Sequence, residues 1–564
     1  MNRSPAAVVS RPQAPAFPAA TPAGRVAALA LAALAPFWSL YLAHALLGPN
    51  LATGFIVADM PYYCANGREI FERGNGLMYC NPYDPDPAAP VIYFHWLPWV
   101  FGVGTKLLGL DPGLVFVITG AIGGLVCAVA TYRIVEIVLP DPRCRDACYL
   151  FVMWGGGLLV LPALAANLLS GTPWWDDLLR FDPFEGWWFL NWGRNLVMPQ
   201  EAVYHALVAL GWLAALRGCD WPAVAAVTAL ALTHPFSGIQ HLAVLGCWLA
   251  IRGIRQPAAR MPLAAVAAVT AAFLGYYFLY LPSFPQHREV HGTWSLDWTL
   301  PLSSLVLGYG PVAALAAARC RQDWRAWKPQ MTCLVVAAAV SLLLVKHELF
   351  LPARQPLHFT RGYVWLPLAL LGLPLVQRFC QWATARPLQG GRLAVAALLG
   401  GLAIFDDATF ILHFWHQPAD RHTDVRVDPA LADAFRFLDR AGTTGIVLVL
   451  KPDAADWEDY NYLAATYTGL TPLVGHPWLT PQHDKMQAAA AAWDATGRVS
   501  EPIERVTILI VPVGFPPEKL PGGGAAWRSV HANGRVVVLA RASAEPSSTR
   551  VIRPLPASPI AGAE

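Results

Sequence analysis

About eleven apolar runs, the longer of them matching the roughly 20 residues a helix needs to cross a bilayer and the short ones around His234-Pro235 falling below it, decide what this chain can fold into. They lie at Val26–Leu47, Leu114–Val138, Ala147–Leu169, Glu201–Leu216, Trp221–Thr233, Phe236–Ile251, Pro262–Leu281, Leu300–Ala318, Met331–Val345, Tyr363–Val376 and Leu393–Phe414. In hydrocarbon every backbone N–H and C=O must find a partner within the protein, and a helix supplies those partners inside one segment. Only 14% of the 564 residues are charged while 55% are hydrophobic, whereas a soluble domain carries about 25% charged residues. The expected fold class is therefore a mainly α membrane protein, a polytopic helical bundle with a small C-terminal extramembrane α/β domain. A net charge of +3 without a basic block gives nucleic acid no footing.

The expected organisation has four parts. Residues 1–25, rich in Pro and Ala, read as a disordered cytoplasmic N-terminus, and 26–416 as the transmembrane domain with a large first outer loop at 48–111. Residues 417–541 carry an amphipathic helix in "DPALADAFRFLDRAG", with Leu431, Ala434, Phe435 and Leu438 on one face. They also hold the short apolar strands "TGIVLVL" and "VTILIVPV" and a hairpin about Asn533-Gly534. Residues 542–564 read as a disordered tail.

Orientation turns on "VIYFHWLPWVFGVGTKLLGL" (Val91–Leu110), which holds an internal Pro, His95 and Lys106. Read as a helix lying along the interface rather than as a span, it sends Arg133, Arg143 and Arg145 to the same side as Arg3, Arg11 and Arg25. The groups Arg252/Arg255/Arg260, Arg319/Arg321/Arg325/Lys328 and Arg378/Arg386/Arg392 then fall on that side too. The positive-inside rule makes it cytoplasmic, and the chain reads as a multi-pass protein of the cell inner membrane. The C-terminal domain lies outside.

The outer side collects "FIVADMPYYCANGREIFERGNGLMYCNPYDPDPAAP" (Phe55–Pro90), Ser170–Gln200 and "KHELFLPARQPLHFTRGY" (Lys346–Tyr363). Ionisable groups near hydrocarbon are costly and mark sites. Asp59 can act as a base toward an acceptor hydroxyl or amine; placed two residues before Pro61, it equally suits the start of a helix. Lys346, His347, Glu348, Arg354, Gln355, His358 and Arg361 form the richest cluster, and its cations suit a phosphate; span-end snorkelling is the bland alternative, but alone it does not account for seven polar groups within sixteen residues on the side opposite the basic clusters. Arg194 can grip phosphate, Asp177 beside Asp176 can position an acceptor or bind a metal, and His95 is accessory. His234, His241, His287 and His291 read as structural, with no zinc spacing. Cys64 and Cys80, both outside, are placed where an oxidising compartment permits a bridge.

Asp59 soon after the first run, then "PYYCANGREIFERGNGLMYCNPYDP" and the Pro-aromatic-His segment "PVIYFHWLPWVFGVGTKLLG", is similar to the first external loop of GT-C-type glycosyltransferases. That superfamily includes protein mannosyltransferases and lipid A aminoarabinose transferases. The resemblance covers about the first hundred residues by motif. It implies a polyprenyl-phosphate sugar donor held in membrane lipid, a glycan, lipid or protein acceptor, and transfer on the outer face. It also implies an acidic loop residue acting on the acceptor, here Asp59, and late-loop cations on the donor phosphate, here Arg354 and Arg361. Where many members pair two acids, this chain has Asp59 alone. No cofactor is required by the residues, and a divalent metal is left open. The alternative is a polytopic protein without transfer activity, a transporter or an envelope-assembly scaffold.

Overall fold

The computed structural model describes residues 21–542 apart from 49, 187–189, 293–296, 324, 326–327, 386–389, 417–424 and 451–456. Nearly all of both expected disordered ends, 1–20 and 543–564, lies outside the described residues. The chain divides into two compact units, one of residues 1–80 and 90–426, the other of 81–89 and 427–564.

The first unit is almost wholly helical. It opens with α1 (Ala23–Leu46), the short strand β1 (Leu51–Phe55), α2 (Pro61–Glu72) and α3 (Trp96–Gly102). Then come α4 (Pro112–Val138), α5 (Arg145–Trp154), α6 (Val160–Ser170), α7 (Pro199–Leu216), α8 (Asp220–Ala231) and α9 (Pro235–Arg255). The series closes with α10 (Arg260–Leu274), α11 (Pro285–His291), α12 (Leu302–Asp323), α13 (Pro329–Val345), α14 (Trp365–Thr384) and α15 (Gly390–His416).

Helices thus occupy each apolar run. Five are long and apolar enough to cross a membrane: Ala23–Leu46, Pro112–Val138, Pro257–Ser283, Leu302–Asp323 and Ala394–Trp415. This is the make-up of a mainly α membrane protein. Several starts follow local chemistry. Asp111 caps α4 by accepting from Leu114 N at 3.0 Å, with Pro112 in the first turn.

The segment Val91–Leu110, expected to lie along the interface, forms a helix shorter than a span. After α3 the backbone widens into a π-turn at Val103–Leu107 and stops, so the helical stretch rises only about 18 Å at 1.5 Å per residue, short of a hydrocarbon core of about 30 Å. α2 and α3 cross at glycines, where a Cβ on Gly67 would lie 2.6 Å from Pro98 O and 2.7 Å from Gly102 N.

The run expected as one helix at Ala147–Leu169 is two. Gly155, Gly156 and Gly157 interrupt it, and a Cβ on Gly156 would sit 2.6 Å from Asp406 Cβ. The freed backbone is re-paired by other helices: Gly156 N donates to Ala403 O at 2.8 Å and Leu158 N to Leu307 O at 2.9 Å. Irregular backbone survives in such a bundle only where protein supplies the partners.

β2 (Val425–Val427) pairs with β1, and in the second unit α16 (Pro429–Arg440), β3 (Gly445–Val449), α17 (Trp457–Tyr467) and β4 (Leu470–Pro472) follow. α18 (His483–Thr496), α19 (Glu501–Glu504), β5 (Ile508–Pro512), β6 (Trp527–Ala532) and β7 (Val536–Arg541) complete it. The sheet order is β4-β3-β5-β7-β6, parallel across its first three strands and antiparallel thereafter. Leu448, Leu509, Trp493, Ile503 and Val506 form its core. Residues Asn81–Ala89, expected within the first outer loop, belong to this unit. Asn81 Nδ2 donates to Leu479 O at 2.6 Å, and the Tyr83 ring lies 5.6 Å from that of Tyr462.

α4 and α7 pack closely, and glycine makes it possible. A Cβ on Gly123 would come 2.9 Å from Val203 N, so α7 rests directly on the α4 backbone. Gly123→Leu should destabilise the protein by about 1–3 kcal/mol through overpacking, read as a lower melting temperature in detergent, whereas Gly124→Ala, whose Cβ would meet nothing closer than 3.7 Å, should be near neutral.

Candidate functional site

The first loop and the segment between α13 and α14 meet at one end of the first unit. β1 ends in a tight bend in which Met60 N donates to Val57 O at 3.0 Å, and Pro61 starts α2. This leaves Asp59 exposed on the bend. The N-cap of α2 is Met60 with no side-chain cap, so Asp59 does not serve as that cap. Tyr62 and Tyr63 follow in the first turn, their ring centroids 4.1 Å apart. The Asp59 carboxylate acts electrostatically on Tyr62, on Tyr63 and on His358, and Arg361 acts on the same two tyrosines.

On the opposite wall Arg361 and Gly362 both have positive φ, 31° and 73°. Gly362 is required there, because a Cβ would lie 2.7 Å from Asn191 O and 2.8 Å from Trp192 Cα. The reversal points the Arg361 guanidinium inward. Its Nη1 pairs with Glu201, 3% exposed in the first turn of α7, and its Nη2 donates to His358 Nδ1 at 2.8 Å. His205 sits beneath: its Nδ1 is 2.7 Å from Glu201 O and its Nε2 2.8 Å from Arg361 O. His358 is sandwiched, its ring 4.2 Å from Phe236 and 5.6 Å from Trp298. Burial lowers its pKa to about 3, so the imidazole is neutral and accepts from Arg361.

The remaining candidates have other surroundings. Lys346 pairs with Glu348 and donates to Leu300 O at 3.0 Å. His347 Nδ1 lies 2.6 Å from Leu344 O while its Nε2 accepts from Arg354 N at 3.0 Å, a clasp that shapes the segment. Gln355 is buried at a positive φ of 48°. The Arg354 side chain is exposed. Asp177 and Asp176 are exposed, and the Asp177 side chain has no hydrogen bond or ion pair among the described residues. His95 lies between two hydroxyls, Tyr79 at 2.7 Å and Tyr277 at 3.0 Å, and burial lowers its pKa to about 4.

Arg194 is buried. Only 1% exposed, it pairs with Asp182, Asp406 and Asp407, and carboxylates take the guanidinium faces a phosphate would need. His234 caps α9, its Nδ1 accepting from Ser237 N at 3.1 Å. Cys64 and Cys80 are separate thiols, the first donating to Pro112 O at 3.5 Å and the second to Glu69 Oε1 at 2.8 Å. Glu69 and Glu72, the acids of α2, are held by Arg73, Arg68 and Lys106.

Glu201 was hidden at the head of an apolar run, where an acid looks like a span end. The signal was its position directly after Pro199-Gln200, facing inward in the first turn of a helix. Among the described residues no three metal-ligating side chains converge. The exposed Asp59 can take a proton, and the neutral His358, its Nδ1 accepting from Arg361, holds its own on Nε2. The chain matches no protein-family model, and no curated protein is significantly similar to it.

Glu201→Gln alone should destabilise strongly, by about 3–5 kcal/mol, because it leaves Arg361 buried and uncompensated; adding Arg361→Gln should recover part of that loss in a thermal melt. His358 adds a pH dependence. Its folded pKa, about 3, is below the unfolded 6.5, so its share of stability is present above 6.5 and is lost as pH falls toward 3. A melting-temperature profile of His358→Gln should be flatter than wild type across that window.

Proposed function

We propose that this chain is an integral membrane glycosyltransferase of GT-C-like architecture, with eleven spans, a cytoplasmic N-terminus and an outer C-terminal α/β domain. It transfers a sugar from a polyprenyl-phosphate donor to an acceptor on the outer face of the inner membrane. The observation that carries this reading is the meeting of Asp59, Tyr62 and Tyr63 with His358 and Arg361, residues far apart in sequence. In the proposed step Asp59 removes the acceptor proton while the acceptor oxygen or nitrogen bonds to the anomeric carbon. The bond from that carbon to the phosphate oxygen breaks with inversion, and the electron pair leaves with the lipid phosphate.

Charge sets a condition on the donor. Asp59 and Glu201 outnumber Arg361, and His358 is neutral, so Arg361 alone does not offset a leaving phosphate. The exposed Arg354 supplies the further cation from the same segment. Lys346 is engaged by Glu348 and supports the segment rather than the donor. A specific observation favours the alternative of a transporter or scaffold: two adjacent carboxylates, Asp406 and Asp407, lie inside the Ala394–Trp415 span, where ionisable groups accompany transport.

Proteoliposomes offered a panel of polyprenyl-phosphate sugars should show transfer that Asp59→Asn reduces by roughly 100-fold or more, the scale of lost general-base catalysis, with the fold intact by melting. Unchanged transfer in Asp59→Asn overturns Asp59 as the base. Absence of transfer from every carrier in wild type points to the alternative.

A further inference from the structure

Behind the outer site lies a second cluster that the proposed transfer does not use. Arg194 Nη1 donates to Asp182 Oδ2 at 2.7 Å and its Nε to Asp407 Oδ1 at 2.8 Å. Its Nη2 lies 3.0 Å from Asp406 Oδ2, out of line for a hydrogen bond. Asn191 Nδ2 donates to Asp407 Oδ1 at 2.5 Å, and the Phe410 ring covers the guanidinium at 4.7 Å. Asp182, Asp406, Asp407, Arg194 and Asn191 are each no more than 4% exposed. Each carboxylate thus spends one oxygen on Arg194, and the other oxygens, Asp182 Oδ1, Asp406 Oδ1 and Asp407 Oδ2, meet no hydrogen-bond partner among the described residues. Asn191 Oδ1, an amide acceptor at the same point, is also unpartnered.

Charge and hydrogen bonding point the same way. Three ionised carboxylates around one guanidinium leave two net negative charges in a low-dielectric interior, a cost of several kcal/mol per ion even after relaxation. The four orphaned carboxylate and amide oxygens are acceptors and outnumber the one orphaned donor nitrogen, Arg194 Nη2, so the larger deficit is of donors. The guanidinium cannot lose its proton to relieve the imbalance. Among the described residues the ion pairs of these carboxylates bring no second cation. α12 contributes Tyr309, whose hydroxyl donates to Leu190 O at 3.2 Å, and the break between α5 and α6 contributes Gly156. A proton on a carboxylate removes one charge and turns one orphan acceptor into a donor for another; two protons cancel the excess and satisfy all four. Among the described residues no group of three ligating side chains is arranged to hold a metal ion, which favours protons over a bound cation.

We infer that Asp182, Asp406 and Asp407, arranged around Arg194 and Asn191, form a proton-binding site that is occupied at neutral pH and joins the 171–198 loop to α15. A proton taken from water converts one carboxylate to a carboxylic acid, whose O–H donates to a neighbouring orphan oxygen. Burial pushes the Asp182 carboxyl up to about 7, with Asp406 and Asp407 adding to the rise against the pull of Arg194. The site stands whether or not the outer site transfers sugar. Its link outward is short, because Asn191 and Trp192 pack against Gly362, next to Arg361.

The test is infrared difference spectroscopy on the full chain in nanodiscs, between about pH 5 and about pH 9, a window that brackets the Asp182 titration. A carbonyl-stretch band of a protonated carboxylic acid should be present on the acid side, shift in D2O, and shift again when aspartate is labelled with 13C. Asp182→Asn or Asp407→Asn should remove at least half of the aspartate-labelled intensity. The folded pKa of Asp182 is raised above its unfolded 3.8, so the stability it contributes is lost as pH rises toward 7. The melting-temperature difference between wild type and Asp182→Asn should therefore depend on pH over that interval. If the variants do not fold, the wild-type label still decides: no 13C-shifted acid band overturns the proposal. A band that persists unchanged in folded Asp182→Asn and Asp407→Asn overturns it too. Absence of the band, with sodium but not choline chloride raising the melting temperature, replaces the proton by a cation.

Discussion

The Glu201–Arg361 ion pair is the interaction on which the candidate site depends, and each partner is there because of backbone packing elsewhere. Glu201 reaches the site because α7 lies against the glycine face of α4, and Arg361 turns inward because Gly362 allows the chain to pass over Asn191 and Trp192. His205 ties the two backbones together from below, its ring nitrogens facing the carbonyls of Glu201 and Arg361. A buried ion pair contributes little net stability but is costly to break. Its effect here is positional: it directs one guanidinium edge to His358 and fixes the wall opposite Asp59.

A second guanidinium organises the layer behind. Arg194 gathers carboxylates from the 171–198 loop and from α15, and Asn191 and Trp192 between the two layers touch both. One arginine is paired directly with a single acid, Glu201, and the other with three carboxylates, closed off from water. The two environments separate a group available for ligand chemistry from one whose charge balance must be completed internally.

Much of the helical skeleton was legible because periodic apolar runs and their Pro and Asp boundaries are local signals. Asp111-Pro112 and His234-Pro235 begin helices for reasons visible in a few residues. The shortness of the helix after His95 was also readable, since a proline, a lysine and glycines crowd a run that would otherwise span. Tertiary pairing was not readable. Arg194 has the residue type for phosphate, and only the fold reveals three carboxylates around it. Asp406-Asp407 stood in plain view inside an apolar run, yet the run was long enough to be read as a span regardless of them. Glu201, likewise, declares itself only once Arg361 is seen to face it. Asn81–Ala89 left the first loop for the second unit because its partners, Leu479, Tyr462 and His476, lie hundreds of residues later.

The break at Gly155–Gly157 has a consequence for the order in which the chain can be assembled. The N–H groups of Gly156 and Leu158 find their acceptors on Ala403 and Leu307, in helices made long after α5 and α6. During synthesis from the N-terminus, two amide donors near the middle of an apolar stretch wait for partners nearly 150 and 250 residues downstream in the chain order. Until α12 and then α15 arrive they must stay near water or be sheltered by the insertion machinery, since hydrocarbon offers no acceptor. The last helix of the bundle therefore completes an early one, and the membrane domain reaches its final hydrogen bonding only when its own C-terminal end has been made.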